Sequence, residues 1–230
     1  MRTTRPWRSS AISSLRAAVR SRKARGETPV DGKMDACGVI LAGGRSSRMG
    51  RNKALLALDG KPLIQRQVER LSAWFRQVVI VTNTPGEYAF LGVPMVSDRV
   101  PGLGPLAGVE AGLRASRFEH AFFCAVDMPF INEALVRFMV QAAPGYDIVV
   151  PAPGGEYEPM HAVYGRGCLP SIARNLEAGR LRLISIFPDV RVREITDAEL
   201  LPFGEPERLF FNCNTPADLE EARRWLEEEG

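Results

Sequence analysis

Residues 37–53 read C-G-V-I-L-A-G-G-R-S-S-R-M-G-R-N-K. Cys37–Leu41 is a short apolar run of strand composition that ends in the small-residue turn Ala42-Gly43-Gly44. Glycines directly after a strand let backbone N–H groups approach a ligand with no side chain in the way. Arg48, Arg51 and Lys53 follow in the same loop, cations suited to a chain of phosphates. The spacing matches neither G-x-x-x-x-G-K-[ST] nor G-x-G-x-x-G. Taken alone, the loop is also what an ordinary connection between a strand and a helix looks like.

Outward from this stretch, short apolar runs alternate with amphipathic ones. Gly60-Lys61-Pro62 predicts the opening of a helix that runs to about Ala73, with Leu63, Val68 and Leu71 among its apolar positions. Val78–Val81 and Pro94–Val96 read as strands. Gly104–Ala115 reads as a helix whose glycines point to close approach by a neighbour or ligand. Phe122–Val126 is a further strand, stopping at Asp127-Met128-Pro129, before a helix over Asn132–Ala142 and a strand over Ile148–Val150. Pro151–Glu158 reads as a loop, Met160–Tyr164 as strand-like and Leu169–Ala178 as helical. A final helix spans Thr215–Glu228, with Thr215 as N-cap, Pro216 first in the helix and Asp218 in its first turn. The alternation predicts an α/β fold, a single Rossmann-like domain over residues 34–230 with a mostly parallel sheet flanked by helices.

Composition narrows the class. The chain has 230 residues, 45% hydrophobic and 25% charged, which suits a globular enzyme with one sizeable core. No apolar run approaches the ~20 residues that cross a bilayer. Cys37, Cys124, Cys168 and Cys213 are widely spaced with no C-x-x-C pair; three of them sit in apolar or strand-like settings that suit buried free thiols, and a reducing cytoplasm is expected rather than disulfides or zinc. The net charge of +3 averages two unlike segments. Residues 1–33 hold nine basic residues against Glu27 and Asp31, which makes them +7 and leaves −4 for the rest. The mildly acidic body gives no reason to expect nucleic acid as a partner, and no membrane partner is expected. The basic leader admits three readings: a targeting or membrane-surface helix, a disordered tail, or a segment not normally made because Met34 is the true start. We expect a functionless or absent leader.

The full string at residues 41–53 resembles L-A-[AG]-G-x-x-x-R-M-G-x-x-K, the N-terminal signature of nucleotidyltransferases with a Rossmann-like fold. Its Gly-Gly form resembles the molybdenum-cofactor guanylyltransferases. The likeness continues in order through Gly60-Lys61-Pro62-Leu63, Asp98…Gly104-Pro105-Leu106-Ala107-Gly108, Asp127-Met128-Pro129, Glu158-Pro159-Met160-His161-Ala162 and Asn212-Cys213-Asn214-Thr215-Pro216. It covers nearly all of the chain after Met34. The resemblance implies transfer of GMP from GTP to the phosphate of molybdopterin, with Mg2+ as cofactor, in the cytoplasm. It also implies transient contact with molybdopterin-synthesis or molybdoenzyme partners. Carried onto these positions, it implies that Leu41, Ala42 and Gly43 contact the nucleotide through their backbone. Lys53 would bind phosphate, with Arg48 supporting the loop or the phosphates. Asn83 and Asp98 would contact the guanine nucleotide, Asp127 would bind the metal, and Asn212 and Asn214 would face the pterin side. Lys53, Asp127 and Arg48 form the implied catalytic set. One departure is Val126 where the family often has cysteine before the aspartate.

Plainer readings stand beside these. Asp127 before Met128-Pro129 is also a turn residue, Asp98 could pair with Arg99, and Asn214 and Thr215 could cap the last helix. His161 in an apolar strand reads as a packed core histidine, and His120 as a surface residue. Two rival functions also remain at this point: a cytidylyltransferase or other small-molecule nucleotidyltransferase, and a non-catalytic GTP-binding adaptor that delivers cofactor. Retention of both Lys53 and Asp127 speaks against the adaptor.

Overall fold

The computed structural model describes residues 32–43, 52–98 and 102–228. The leader before residue 32 and the loop residues Gly44, Arg48 and Arg51 lie outside the described residues. In chain order the elements are β1 (Met34–Leu41), β2 (Ala57–Leu58), β3 (Lys61–Pro62), α1 (Leu63–Trp74), β4 (Phe75–Val81), β5 (Met95–Val96) and α2 (Pro105–Ala115). Then come β6 (His120–Ala125), α3 (Glu133–Ala142), β7 (Ile148–Pro151), β8 (His161–Gly165), α4 (Leu169–Glu177) and β9 (Val192–Ile195). The short helices α5 (Asp197–Leu200) and α6 (Pro206–Leu209) lead to α7 (Pro216–Glu227).

Among the described residues seven strands form one sheet in the order β5-β4-β1-β6-β8-β7-β9. All run parallel except β8, which is antiparallel to both its neighbours. β1 lies inside the sheet with helices over both faces, which is why it reads as a continuous apolar run rather than an alternating one. Its side chains still divide between the faces. Ile40 joins Ile64, Val68 and Leu71 of α1 and Leu135, Val136 and Met139 of α3 in one cluster. Val39 joins Leu106, Val109 and Leu113 of α2 and Ile172 of α4 in the other. Gly112 lets α2 lie close on the sheet, because a Cβ there would stand 2.6 Å from the Phe123 ring and 2.8 Å from Val39.

The structure shifts several expected boundaries. The helix expected from Gly60 begins at Leu63, because Lys61-Pro62 pairs antiparallel with Ala57-Leu58 across a tight turn. Asp59 and Gly60 at that turn have φ of 52° and 73°, the left-handed pair that a two-residue hairpin needs. β4 begins at Phe75, ahead of the expected Val78, and β1 begins at Met34, ahead of the expected Cys37. β9, not foreseen, extends the sheet by pairing parallel with β7. α7 packs Leu219 and Ala222 against Leu58 and Leu63, fastening the end of the chain to the β2–β3 ribbon.

Candidate active site

Strand register builds the site. Leu41 is level with Val81 on one side and Ala125 on the other, and Val81 is level with Val96. The residues just beyond, Ala42-Gly43, Thr82-Asn83, Ser97-Asp98 and Val126-Asp127, therefore form a row at the carboxyl ends of four parallel strands. Sheet order reverses here: β4 and β5 extend from one side of β1 and β6 from the other. Open α/β sheets bind ligands at such a switch point.

Backbone bonds hold the row. Ala42 donates to the carbonyl of Val81 at 2.9 Å, Thr82 to Val96 at 2.9 Å, and Val126 to Leu41 at 3.2 Å. The expected backbone contacts from Leu41 and Ala42 are narrowed by this, since the Ala42 N–H is already engaged. Gly43 is the exposed member of the three.

At one end of the row, three distant segments meet. Lys53 lies on the single turn Lys53–Leu55 and donates from Nζ to Asn214 Oδ1 at 2.8 Å. The same Nζ stands 3.7 Å from Asp127 Oδ2, with both side chains 21% exposed. That distance is an ion pair, too long for a good hydrogen bond. The Asp127 carbonyl accepts the Cys213 N–H at 2.8 Å, which pins the 212–214 segment beside it. Thr215 caps α7 in a capping box, and Asp218 Oδ2 accepts from the N–H groups of Asn214 and Thr215, each at 2.7 Å. Capping by Thr215 is thus real, and it aims Asn214 as well. Burial pushes the Asp127 carboxyl above the usual carboxylate range, and Lys53 only partly opposes this. The charge on Asp127 is under-compensated, so a further cation would favour it.

At the other end, Asn83 and Asp98 clamp each other. Asn83 Nδ2 donates to Asp98 Oδ2 and the Asp98 N–H donates to Asn83 Oδ1, both at 3.2 Å. Asp98 Oδ1 is buried with no hydrogen-bond partner. Burial raises the Asp98 carboxyl, with Asn83 acting against it.

Among the expected site residues, Lys53, Asp127 and Asn214 come together, as do Asn83 and Asp98. Asn212 does not join them by its side chain, which donates to the Phe210 carbonyl at 2.9 Å. Arg48 is outside the described residues. His161 is fully buried edge-on between Phe122 and Phe210, and burial drives its pKa down to about 3, so it is a neutral core residue as expected. All four cysteines are free and buried. Sequence reasoning passed over Asn52, whose side chain caps the Lys53 turn. The available signal was its residue type, since asparagine is a preferred N-cap.

Among the described residues no cluster of three or more His, Cys, Asp or Glu is gathered for a metal ion. The donor set nonetheless suits Mg2+, which commonly takes one or two carboxylates and completes its shell with substrate phosphates and water. Asp127 offers a hard oxygen with an incomplete counter-charge at the mouth of the crevice. No described helix is long and apolar enough to cross a membrane.

Comparison with known proteins agrees with this fold. Residues 38–190 match the family model described as the MobA-like NTP transferase domain. A probable molybdenum cofactor guanylyltransferase of Pelotomaculum thermopropionicum is 40% identical over 190 residues, spanning 83% of this chain and 93% of that protein. The molybdenum cofactor guanylyltransferase of Desulfosudis oleivorans is 37% identical over 192 residues, spanning 82% and 95%. The crystal structure of molybdopterin-guanine dinucleotide biosynthesis protein A from Archaeoglobus fulgidus matches with a TM-score of 0.73 at 26% identity, over 84% of this chain and 99% of that one. The protein is therefore a nucleotidyltransferase, and the chain belongs to the MobA-like NTP transferase family.

Proposed function

We propose that this protein transfers GMP from GTP to the terminal phosphate of molybdopterin, releasing pyrophosphate. The observation that carries the reading is the meeting of Lys53, Asp127 and Asn214 at the switch point. Likeness to guanylyltransferases at 37–40% identity supports the choice of base and acceptor.

In this reading a phosphate oxygen of molybdopterin attacks the α-phosphorus of GTP, and the bond from that phosphorus to the bridging oxygen of the β-phosphate breaks. The attacking phosphate is already ionised near neutral pH, so no side-chain base is needed. Catalysis then rests on positioning and on charge. Asp127 would hold Mg2+, which offsets negative charge around the α-phosphate. Lys53 neutralises the polyphosphate, with Arg48 supporting that loop. Asn214 keeps the Lys53 ammonium aimed into the crevice. Gly43 and the backbone of Leu41 and Ala42 line the phosphate path, while Asn83 and Asp98 orient the nucleoside and Asn212 lies toward the pterin. Four buried free thiols fit a reducing cytoplasm.

The test is mass analysis of products after incubation with molybdopterin, Mg2+ and each of GTP, CTP and ATP. A guanine dinucleotide product with pyrophosphate, formed from GTP alone, is expected. A cytosine adduct would reassign the base, and no adduct from any nucleotide would overturn nucleotidyl transfer to molybdopterin.

A further inference from the structure

Asn52 immediately precedes Lys53, and each donor of its side chain is matched. Its Oδ1 accepts the Ala54 N–H at 3.0 Å, capping the turn that carries Lys53. Its Nδ2 donates to Glu87 Oε2 at 2.6 Å and to Tyr88 Oη at 2.7 Å. A carboxamide has two N–H donors, so both are placed. Glu87 and Tyr88 lie on the turn Pro85–Leu91, which begins two residues after Asn83. Tyr88 is only 2% exposed and packs in the core cluster with Ala54, so its hydroxyl is a fixed point. The Asn83 side of that segment is tied in turn to Asp98.

A three-residue 3-10 turn has little stability of its own, and a lysine side chain loses much rotamer freedom when it is held in one place. Something outside the turn must hold it. We propose that Asn52 is a positioning residue for the phosphate end of the site. It joins the Lys53 turn to the turn that follows Asn83, so the two ends of the crevice are set by one rigid connection. Asn83–Asp98 and Lys53 then keep a fixed spacing across which a nucleoside triphosphate is gripped. The inference rests on Lys53 being a phosphate contact, as proposed above.

The experiment exchanges donor for acceptor. Asn52→Asp keeps the cap on Ala54 but sets a carboxylate against Glu87. Glu87→Gln alone keeps an acceptor for Asn52. The double change Asn52→Asp with Glu87→Gln restores a complementary pair with unchanged net charge. GTP binding to the full chain is measured by calorimetric titration, with thermal melts as a control. Asn52→Asp is expected to weaken binding about tenfold and the double variant to recover to within about threefold, the scale of one well-placed hydrogen bond. In a Lys53→Ala background Asn52→Asp should have almost no further effect, because the two act through one contact. Tyr88→Phe, which removes one acceptor, should give a smaller loss with the same dependence on Lys53 and serves if Asn52→Asp melts early. Wild-type affinity in Asn52→Asp and Tyr88→Phe, an unrescued double variant, or an undiminished loss without Lys53 would each overturn the proposal. A wild-type protein that binds no GTP would remove the nucleotide reading itself, and this inference with it.

Discussion

The two ends of the crevice are built differently. Asn83 and Asp98 stand fifteen residues apart at adjacent strand ends and satisfy each other by two reciprocal bonds. Lys53 and Asn214 are 161 residues apart, and with Asp127 they assemble opposite charges that do not close into a tight pair. The first end is a clamp already shut, with one buried carboxylate oxygen left over. The second is a charge arrangement held open by its surroundings. Fixed dipoles and charges that need no rearrangement are what stabilise developing charge during group transfer. The proposed transfer accordingly assigns the chemistry to the Lys53–Asp127 end and orientation of the nucleoside to the other.

That division can be broken most severely at Asp127. Asp127→Asn should keep the fold by circular dichroism yet lose turnover on the order of 10²-fold or more at saturating Mg2+, as when one preorganised electrostatic contact is deleted. Near-normal single-turnover formation of the guanine dinucleotide product would falsify the assignment and leave Asp127 a turn residue. Lys53→Ala should weaken GTP binding by about 10-fold or more and slow transfer as well, since a phosphate contact acts in ground and transition states alike. Titration beside kcat and KM measurements separates the two variants: only Lys53→Ala should lose metal-free GTP affinity.

Gly112→Ala sharpens the comparison from outside the site. Its methyl would meet Phe123 and Val39 at 2.6 and 2.8 Å, so α2 must move off the sheet. A cost of about 1–3 kcal/mol is expected, read as a melting temperature lower by roughly 2–4 °C per kcal/mol. An unchanged melting temperature would show that α2 is not held so close.

The smallest effect is expected at Asp98. Its carboxyl is raised by burial, so the folded state binds its proton more tightly than the unfolded chain does. The charged form then costs stability above the raised pKa, and that cost fades as pH falls through the carboxylate range. Asp98→Asn should melt slightly higher than wild type at pH 7, with the difference shrinking toward pH 4. A difference that grows on acidification would reverse the sign and refute the buried-charge account.

Much of this was legible in the chain. Cys37–Leu41, Val78–Val81 and Phe122–Val126 announced strands because both faces of the sheet are covered, and uninterrupted apolar runs result. The residues at their ends fell in the crevice for the same reason. Other signals were present but went unread. Asp59-Gly60 is a hairpin dipeptide that displaced the start of α1 to Leu63. Val190–Arg193 alternates apolar and charged residues as a half-covered edge strand does, and Val192–Ile195 became β9.

The sequence by itself determined which segments are strands and helices, and which polar residues stand where the apolar runs stop. These are local facts, because periodicity records how each residue is buried. Only the tertiary structure decided that β8 runs against its neighbours, that Asn214 reaches Lys53 while Asn212 turns back to Phe210, and that Asn52 is anchored by Tyr88. Apart from the local turn of Asn212 onto Phe210, these contacts join residues tens to more than a hundred positions apart. They exist because the packing of α7 on the β2–β3 ribbon and of the helices on the sheet brings those positions together, and no local pattern encodes a distance through space.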